Sequence, residues 1–151
     1  MFKTIVVGTD GSERAARAVE AAADLAQTLG ATLHVVQVYK GVDEAMASAM
    51  ASGMVTVPRD LSDVAQAESD AVNESLERLA TALRDRGIAV ETHAVSGSAA
   101  PMILDTADAV DADLIVVGNR GMTGARRILG SVPNTLAHHA ECAVLIVRTD
   151  E

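Results

Sequence analysis

Leu114-Ile115-Val116-Val117-Gly118-Asn119-Arg120-Gly121-Met122-Thr123-Gly124-Ala125-Arg126-Arg127-Ile128-Leu129-Gly130-Ser131-Val132-Pro133-Asn134-Thr135-Leu136-Ala137-His138-His139 is the stretch that decides the fold. Its first four residues are solidly apolar, the pattern of a strand buried on both faces of a parallel sheet. Its last residues read as a helix. Between them a glycine-rich loop leaves the carboxyl end of a strand and feeds a helix amino terminus. There backbone N–H groups point outward without intrahelical partners, and the helix dipole is positive. Gly118, Gly121, Gly124 and Gly130 allow the backbone to turn and to approach a ligand closely. Arg120, Arg126 and Arg127 concentrate positive charge, and Ser131 offers a helix cap or a hydroxyl donor. The stretch therefore has the makings of a phosphate cradle. A long loop that served only to turn the chain would need neither the arginines nor so many glycines.

The rest of the chain repeats the strand-and-helix alternation. Lys3 to Gly8 is a short apolar strand. It ends in Thr9-Asp10-Gly11-Ser12, where Asp10 or Ser12 can cap a helix running to about Leu29, with Val19, Ala22, Ala23, Ala26 and Leu29 at helical spacing. Gly30 ends that helix, and Thr32 to Val38 is the second strand. Leu61 to about Arg86 is a long amphipathic helix with Leu61, Val64, Val72, Leu76, Leu79 and Leu83 on its apolar stripe. Ile88 to Val95 is the third strand. Pro101 suits the first turn of a further helix, Asp113 to Val117 is the fourth strand, Pro133 to Ala140 the last helix, and Ala143 to Val147 the fifth strand. Such alternation means parallel strands joined by right-handed helical crossovers, with helices on both faces of an open sheet. Ligands then bind outside the carboxyl ends of strands where the winding reverses. Residues about 40–60 break the alternation and read as an insertion. Met46, Met50 and Met54 share one helical face there, which points to packing rather than to a ligand flap.

Composition narrows the function classes. The 151 residues suit one domain with a proper core, and Phe2 and Tyr39 are the whole aromatic set, so Val, Leu, Ile and Ala must fill the interior. A net charge of −9 argues against a nucleic-acid partner, which needs a basic surface. No apolar run is long enough to cross a bilayer and Met1-Phe2-Lys3 leads directly into a strand, so the expectation is a cytoplasmic protein with no membrane partner. The single Cys142 beside Ala143-Val144 reads as a small core residue. His34 and His93 lie on separate strands with no second ligand at metal spacing in sequence, and read as structural. His138-His139 ends a helix, where a partly charged imidazole is favourable.

Ile5-Val6-Val7-Gly8-Thr9-Asp10-Gly11-Ser12, Ala112-Asp113-Leu114-Ile115-Val116-Val117-Gly118 and Gly130-Ser131-Val132-Pro133-Asn134 together resemble the universal stress proteins of the nucleotide-binding kind, over essentially the whole of residues 1–151 as one such domain. The family's G-x2-G-x9-G-[S/T] pattern is met by Gly118, Gly121, Gly130 and Ser131, with eight residues rather than nine between the second and third glycines. The resemblance implies a five-stranded parallel sheet ordered 3-2-1-4-5, an adenine nucleotide as cofactor (ATP with Mg²⁺, or else AMP or cyclic AMP), and a homodimer paired through Ala143 to Val147. Matched residue by residue, it places Asp10 near base, ribose and metal, with Thr9 beside it. Val38 offers a backbone contact to adenine, Val117 and Gly118 line adenine and ribose, and Arg120, Gly121, Gly130, Ser131 and Val132 face the phosphates. Pro133 has no N–H to give, and Asn134 could supply an amide instead. The shorter loop would leave room for fewer phosphates.

Catalytic machinery is not indicated. There is no G-x-x-x-x-G-K-[S/T], and Ser131 and His138 stand two helical turns apart, too far for a nucleophile and its base. Asp10 is the one carboxylate placed to meet a metal through phosphates, and no base is evident to activate water. The expected role is binding and signalling in a stress response. Slow ATP hydrolysis at the same site and a nucleotide-free interaction module are the alternatives.

Overall fold

A computed structural model describes residues 1–39, 41, 47, 50–53, 60–119 and 131–149. Its elements run β1 (Thr4–Thr9), α1 (Glu13–Leu29), β2 (Thr32–Tyr39), α2 (Asp60–Asp85), β3 (Ala89–Ser96), α3 (Ala99–Ala109), β4 (Leu114–Gly118), α4 (Ser131–His139) and β5 (Ala143–Val147). The strands form one parallel sheet in the order β3-β2-β1-β4-β5, the architecture that the alternation and the family resemblance together imply.

Strand alternation divides the core in two. Ile5, Val7, Leu33, Val35 and Val116 point to one face, where they meet Ala18, Val19, Ala22, Ala23 and Ala26 of α1 and Leu76, Ala80 and Leu83 of α2. Val6, Val36, Ile115 and Val117 point to the other, against Ala100, Ile103 and Ala107 of α3 and Leu136 of α4. With almost no aromatic volume available, alanine rows let α1 and α3 approach the sheet closely. Each large aliphatic fully buried here contributes about 1.5–3 kcal/mol.

The caps follow sequence chemistry. Ser12 Oγ accepts from the Ala15 N–H at 3.2 Å, and Gly30, in the left-handed region at φ 65°, closes α1 while the Ala31 N–H returns to the Ala26 carbonyl at 2.9 Å. Two expectations about apolar faces fail. Val64 is exposed and Ala65 is buried instead, because a residue eight positions before Val72 is rotated about 80° off the face while one seven before it returns almost to it. Leu29 is also exposed, in the last turn of α1. Pro101 lies in the first turn of α3, as its third residue. Met50 is exposed; Met46, Met54 and the side chain of Leu61 lie outside the described residues, as does most of the 40–60 segment.

Asp113 pins the amino ends of the adjacent strands β1 and β4. Its Oδ2 accepts from the Lys3 N–H at 2.7 Å and the Thr4 N–H at 2.9 Å, while its own N–H donates to the Thr4 carbonyl at 2.9 Å. These two backbone donors hold its carboxyl below the ordinary value of 3.8. A depressed carboxylate contributes stability at pH above its unfolded value and loses it as pH falls through the lower folded value. Asp113→Asn should therefore lower the melting temperature at neutral pH, and the gap to the unsubstituted protein should close below pH 3.8. A gap independent of pH would contradict the assignment.

Candidate functional site

The winding of the sheet reverses between β1 and β4, since β1, β2 and β3 proceed one way and β4 and β5 the other. The β1–β4 register pairs Ile5 with Leu114, Val6 with Ile115 and Val7 with Val116. Extended by two residues, it sets Thr9 level with Gly118. Thr9 and Asp10 thus stand beside Gly118 and Asn119 at the carboxyl edge, at the position where open α/β sheets leave a crevice.

The turn after β1 is held by its own side chains. Gly11 N–H donates to Thr9 Oγ1 at 3.1 Å and Ser12 N–H donates to Asp10 Oδ1 at 2.9 Å. Gly11 sits at φ 80°, and a Cβ there would lie 3.1 Å from Gln37 Nε2, so this position takes a glycine both for its backbone and for its space. With the Ser12 cap, these bonds satisfy amides at the start of α1. One Asp10 oxygen is committed to the turn, and the side chain is exposed at the crevice. A single carboxylate beside a phosphate site is a protein donor set that suits Mg²⁺, with phosphate oxygens and water filling the rest. Asp10 fits that role.

Other anticipated residues fall as follows. Val38 is half-buried near the carboxyl end of β2, paired with Val95. Val117 is buried in the cluster under α3 and α4, so its side chain belongs to the core and its backbone alone is available at the edge. Gly118 ends β4 opposite Val147. Ser131 opens α4, Val132 packs on the same cluster, and Asn134 is exposed one turn in. As the helix that follows β4, α4 begins on the carboxyl side of the sheet. The donors of its first turn are the amides of Ser131, Val132 and Asn134, Pro133 having none. Arg120, Gly121 and Gly130, with the rest of the 120–130 loop, lie outside the described residues.

Three features go beyond the sequence reading. Asn119 clamps the chain beyond β5: its N–H donates to the Val147 carbonyl at 2.8 Å, and its Oδ1 accepts from the Thr149 N–H at 2.9 Å and from Thr149 Oγ1 at 3.1 Å, with Thr149 buried. An asparagine just past an apolar strand is the available signal, though its partner lies 30 residues on. The parallel β2–β3 register also brings His34 and His93 together, with Nδ1 and Nε2 at 2.9 Å; sequence spacing treats them as unrelated. Burial pulls the His34 imidazole below its ordinary value; Glu91 opposes this and His93 adds to it. Cys142 is half-buried at the edge of the α3–α4 cluster rather than deep in it, and burial pushes its thiol up, a protonated and unreactive state.

A family model described as the universal stress protein family matches residues 1–148. The chain belongs to that family. Universal stress protein YxiE of Bacillus subtilis is 34% identical over 152 aligned positions, covering 98% of this chain and all of its own. A universal stress protein solved in complex with cAMP superposes with a TM-score of 0.69 at 30% identity, over 99% of this chain and 98% of that one. The universal stress protein from Archaeoglobus fulgidus in complex with dAMP superposes with a TM-score of 0.66 at 26% identity, over 96% of this chain and 97% of that one. In this universal stress protein the sheet order makes the strand preceding the glycine loop the neighbour of the first strand. Among the described residues no helix is long and apolar enough to cross a membrane.

Proposed function

We propose that this universal stress protein binds an adenine nucleotide in the crevice between the carboxyl ends of β1 and β4 and acts by binding and signalling rather than turnover. The observation that carries the reading is the juxtaposition of Thr9 and Asp10 with Gly118 at the reversal of the sheet. Base and ribose would lie across the ends of β1, β2 and β4, near Val38, Val117 and Asp10. The phosphates would face Arg120, Gly121 and Gly130 and the first turn of α4 at Ser131, Val132 and Asn134. In the ATP form Mg²⁺ would be held by Asp10 and phosphate oxygens, where it neutralises charge on the phosphates. Asp10 accepts a hydrogen bond from the Ser12 amide through one oxygen, which fixes its carboxylate at the mouth of the crevice.

A monophosphate, AMP or cyclic AMP, is the second reading. It is favoured by the relatives solved with cAMP and with dAMP and by the loop one residue shorter than the family pattern. Calorimetric titration with ATP and Mg²⁺, AMP and cyclic AMP decides between them. If ATP with Mg²⁺ is the ligand, Asp10→Ala should weaken it by roughly tenfold or more, the cost of a charge-assisted contact, and should weaken cyclic AMP less. Undiminished affinity in Asp10→Ala would remove Asp10 from the site. A single-turnover assay on the same pair reads any slow hydrolysis.

We also propose a homodimer through β5. That strand is an edge of the sheet, beyond β4, and Ala143 and Leu145 are exposed on it. An apolar edge strand of this kind is a template for pairing with a second copy. Light scattering at micromolar concentration should give twice the monomer mass, and Leu145→Glu should shift it to the monomer. A monomer in the unsubstituted protein would contradict the assembly.

A further inference from the structure

His34, Glu91 and His93 form a second place where side chains with ligand chemistry converge, independent of the nucleotide crevice. The β2–β3 register sets His34 opposite Glu91 and Val36 opposite His93. Strand alternation therefore puts all three on one face of the sheet, the face that carries α3 and α4. β3 is an edge strand, so the cluster opens to solvent on its Glu91 side while His34 is anchored within the sheet, 6% exposed. His34 stands level with Val6, three residues or about 10 Å short of Thr9 along the strands.

The distances suit a small, imidazole-preferring cation. His34 Nδ1 lies 2.9 Å from His93 Nε2 and 3.6 Å from Glu91 Oε2, and one ligand atom from each residue falls within 4.8 Å of the others. Two nitrogens bound at about 2.05 Å with tetrahedral angles stand about 3.3 Å apart, and the centroids of their rings about 5.2 Å apart. The His34 and His93 centroids are 5.2 Å apart. A direct N–H···N bond of 2.9 Å gives the same centroid spacing, so the spacing admits both states. To bind an ion the two nitrogens must part by a few tenths of an ångström, and each ring must tilt until the lone pairs meet on one point. Neutral imidazole carries one N–H, which in the paired state sits on one of the two facing nitrogens. For both to coordinate, that proton moves to the far nitrogen of its ring, with no change in charge.

We propose that His34 Nδ1, His93 Nε2 and a Glu91 carboxylate oxygen bind one divalent transition metal ion, with zinc as the fitting case and water as the fourth ligand. Two imidazoles and a carboxylate are a known zinc donor set, whereas Mg²⁺ and Ca²⁺ favour all-oxygen sites. The ion would tie the edge strand β3 to β2.

The test uses the full chain freed of metal with a chelator and titrated with zinc chloride and, separately, cobalt chloride. One zinc per chain and the visible absorption of four-coordinate cobalt are expected. Groups that merely orient metal ligands are worth about 10–100-fold in affinity, so removing a ligand in His93→Gln should weaken zinc by roughly a hundredfold or more. Glu91→Gln, at a largely exposed side chain where folding is not at stake, should weaken it by roughly tenfold. His138→Ala/His139→Ala should leave it unchanged. Failure to bind zinc stoichiometrically, unchanged affinity in either His93→Gln or Glu91→Gln, or loss confined to the His138→Ala/His139→Ala variant would each overturn the proposal.

Discussion

Leu136→Ala is expected to destabilise the fold by about 2–5 kcal/mol, the cost of deleting a fully buried leucine and leaving a cavity. Leu136 is 0% exposed and belongs to the cluster of Val6, Ile115 and Val117 of the sheet and Ile103 of α3. It shares the burial of α4 with Pro133. A nine-residue helix has little stability of its own, so its place depends on this anchor. Domains of this size are stable by about 5–15 kcal/mol in all, and the substitution should move the urea midpoint by a large fraction of its value. Because the first turn of α4 is part of the proposed phosphate site, nucleotide affinity should fall with it. A change under about 1 kcal/mol would mean that α4 is held by something other than its leucine.

Gly8→Val tests the opposite failure, overpacking. A Cβ at Gly8 would lie 2.7 Å from Ile103 Cδ1 and 3.5 Å from Val117 Cγ1. In Gly8→Ala the end of the Ile103 side chain can turn aside, and the loss should be small. Valine adds two further methyls in the middle of the sheet, and its β propensity offsets only part of the strain. The expected loss is about 1–3 kcal/mol. If the clash with Ile103 is the cause, Ile103→Val should cost less in the Gly8→Ala background than in the unsubstituted chain, a coupling a double-mutant cycle measures directly. Equal costs in both backgrounds would place the strain elsewhere. Gly8 also immediately precedes Thr9 and Asp10, so the valine should disturb the crevice even where the fold survives.

What the sequence discloses follows from which signals are local. β1 and β4 are short unbroken apolar runs, and the glycines and caps between helices and strands mark their ends within a residue or two. Ser12 and Gly30 cap α1 as their chemistry requires. The strand order comes from the family resemblance, since spacing alone cannot tell which parallel strands are neighbours. Thr9, Asp10 and Gly118 are legible as candidate site residues because each sits just past an apolar run. Their proximity depends on β1 and β4 being adjacent, which the register establishes.

What escapes is long-range or phase-dependent. His34 and His93 are 59 residues apart, and nothing local in either strand announces the other. The Asn119–Thr149 clamp spans 30 residues in the same way. Val64 is apolar but out of phase with the stripe on α2, whereas Ala65, less hydrophobic but in phase, is the one buried. Val117 stands at the edge of the crevice as a position, while alternation in β4 turns its side chain into the core.

Occupancy of the β1–β4 crevice by an adenine nucleotide is the claim on which the site assignment rests. Mass spectrometry of the ligand released from purified protein, beside Gly121→Val prepared in the same way, tests it most directly. A β-branched side chain at Gly121 should block the approach of phosphate. An adenine nucleotide is expected from the unsubstituted chain, with a marked loss of it from the variant. Equal nucleotide in both, or a protein that neither retains nor takes up any adenine nucleotide on titration, would contradict the claim.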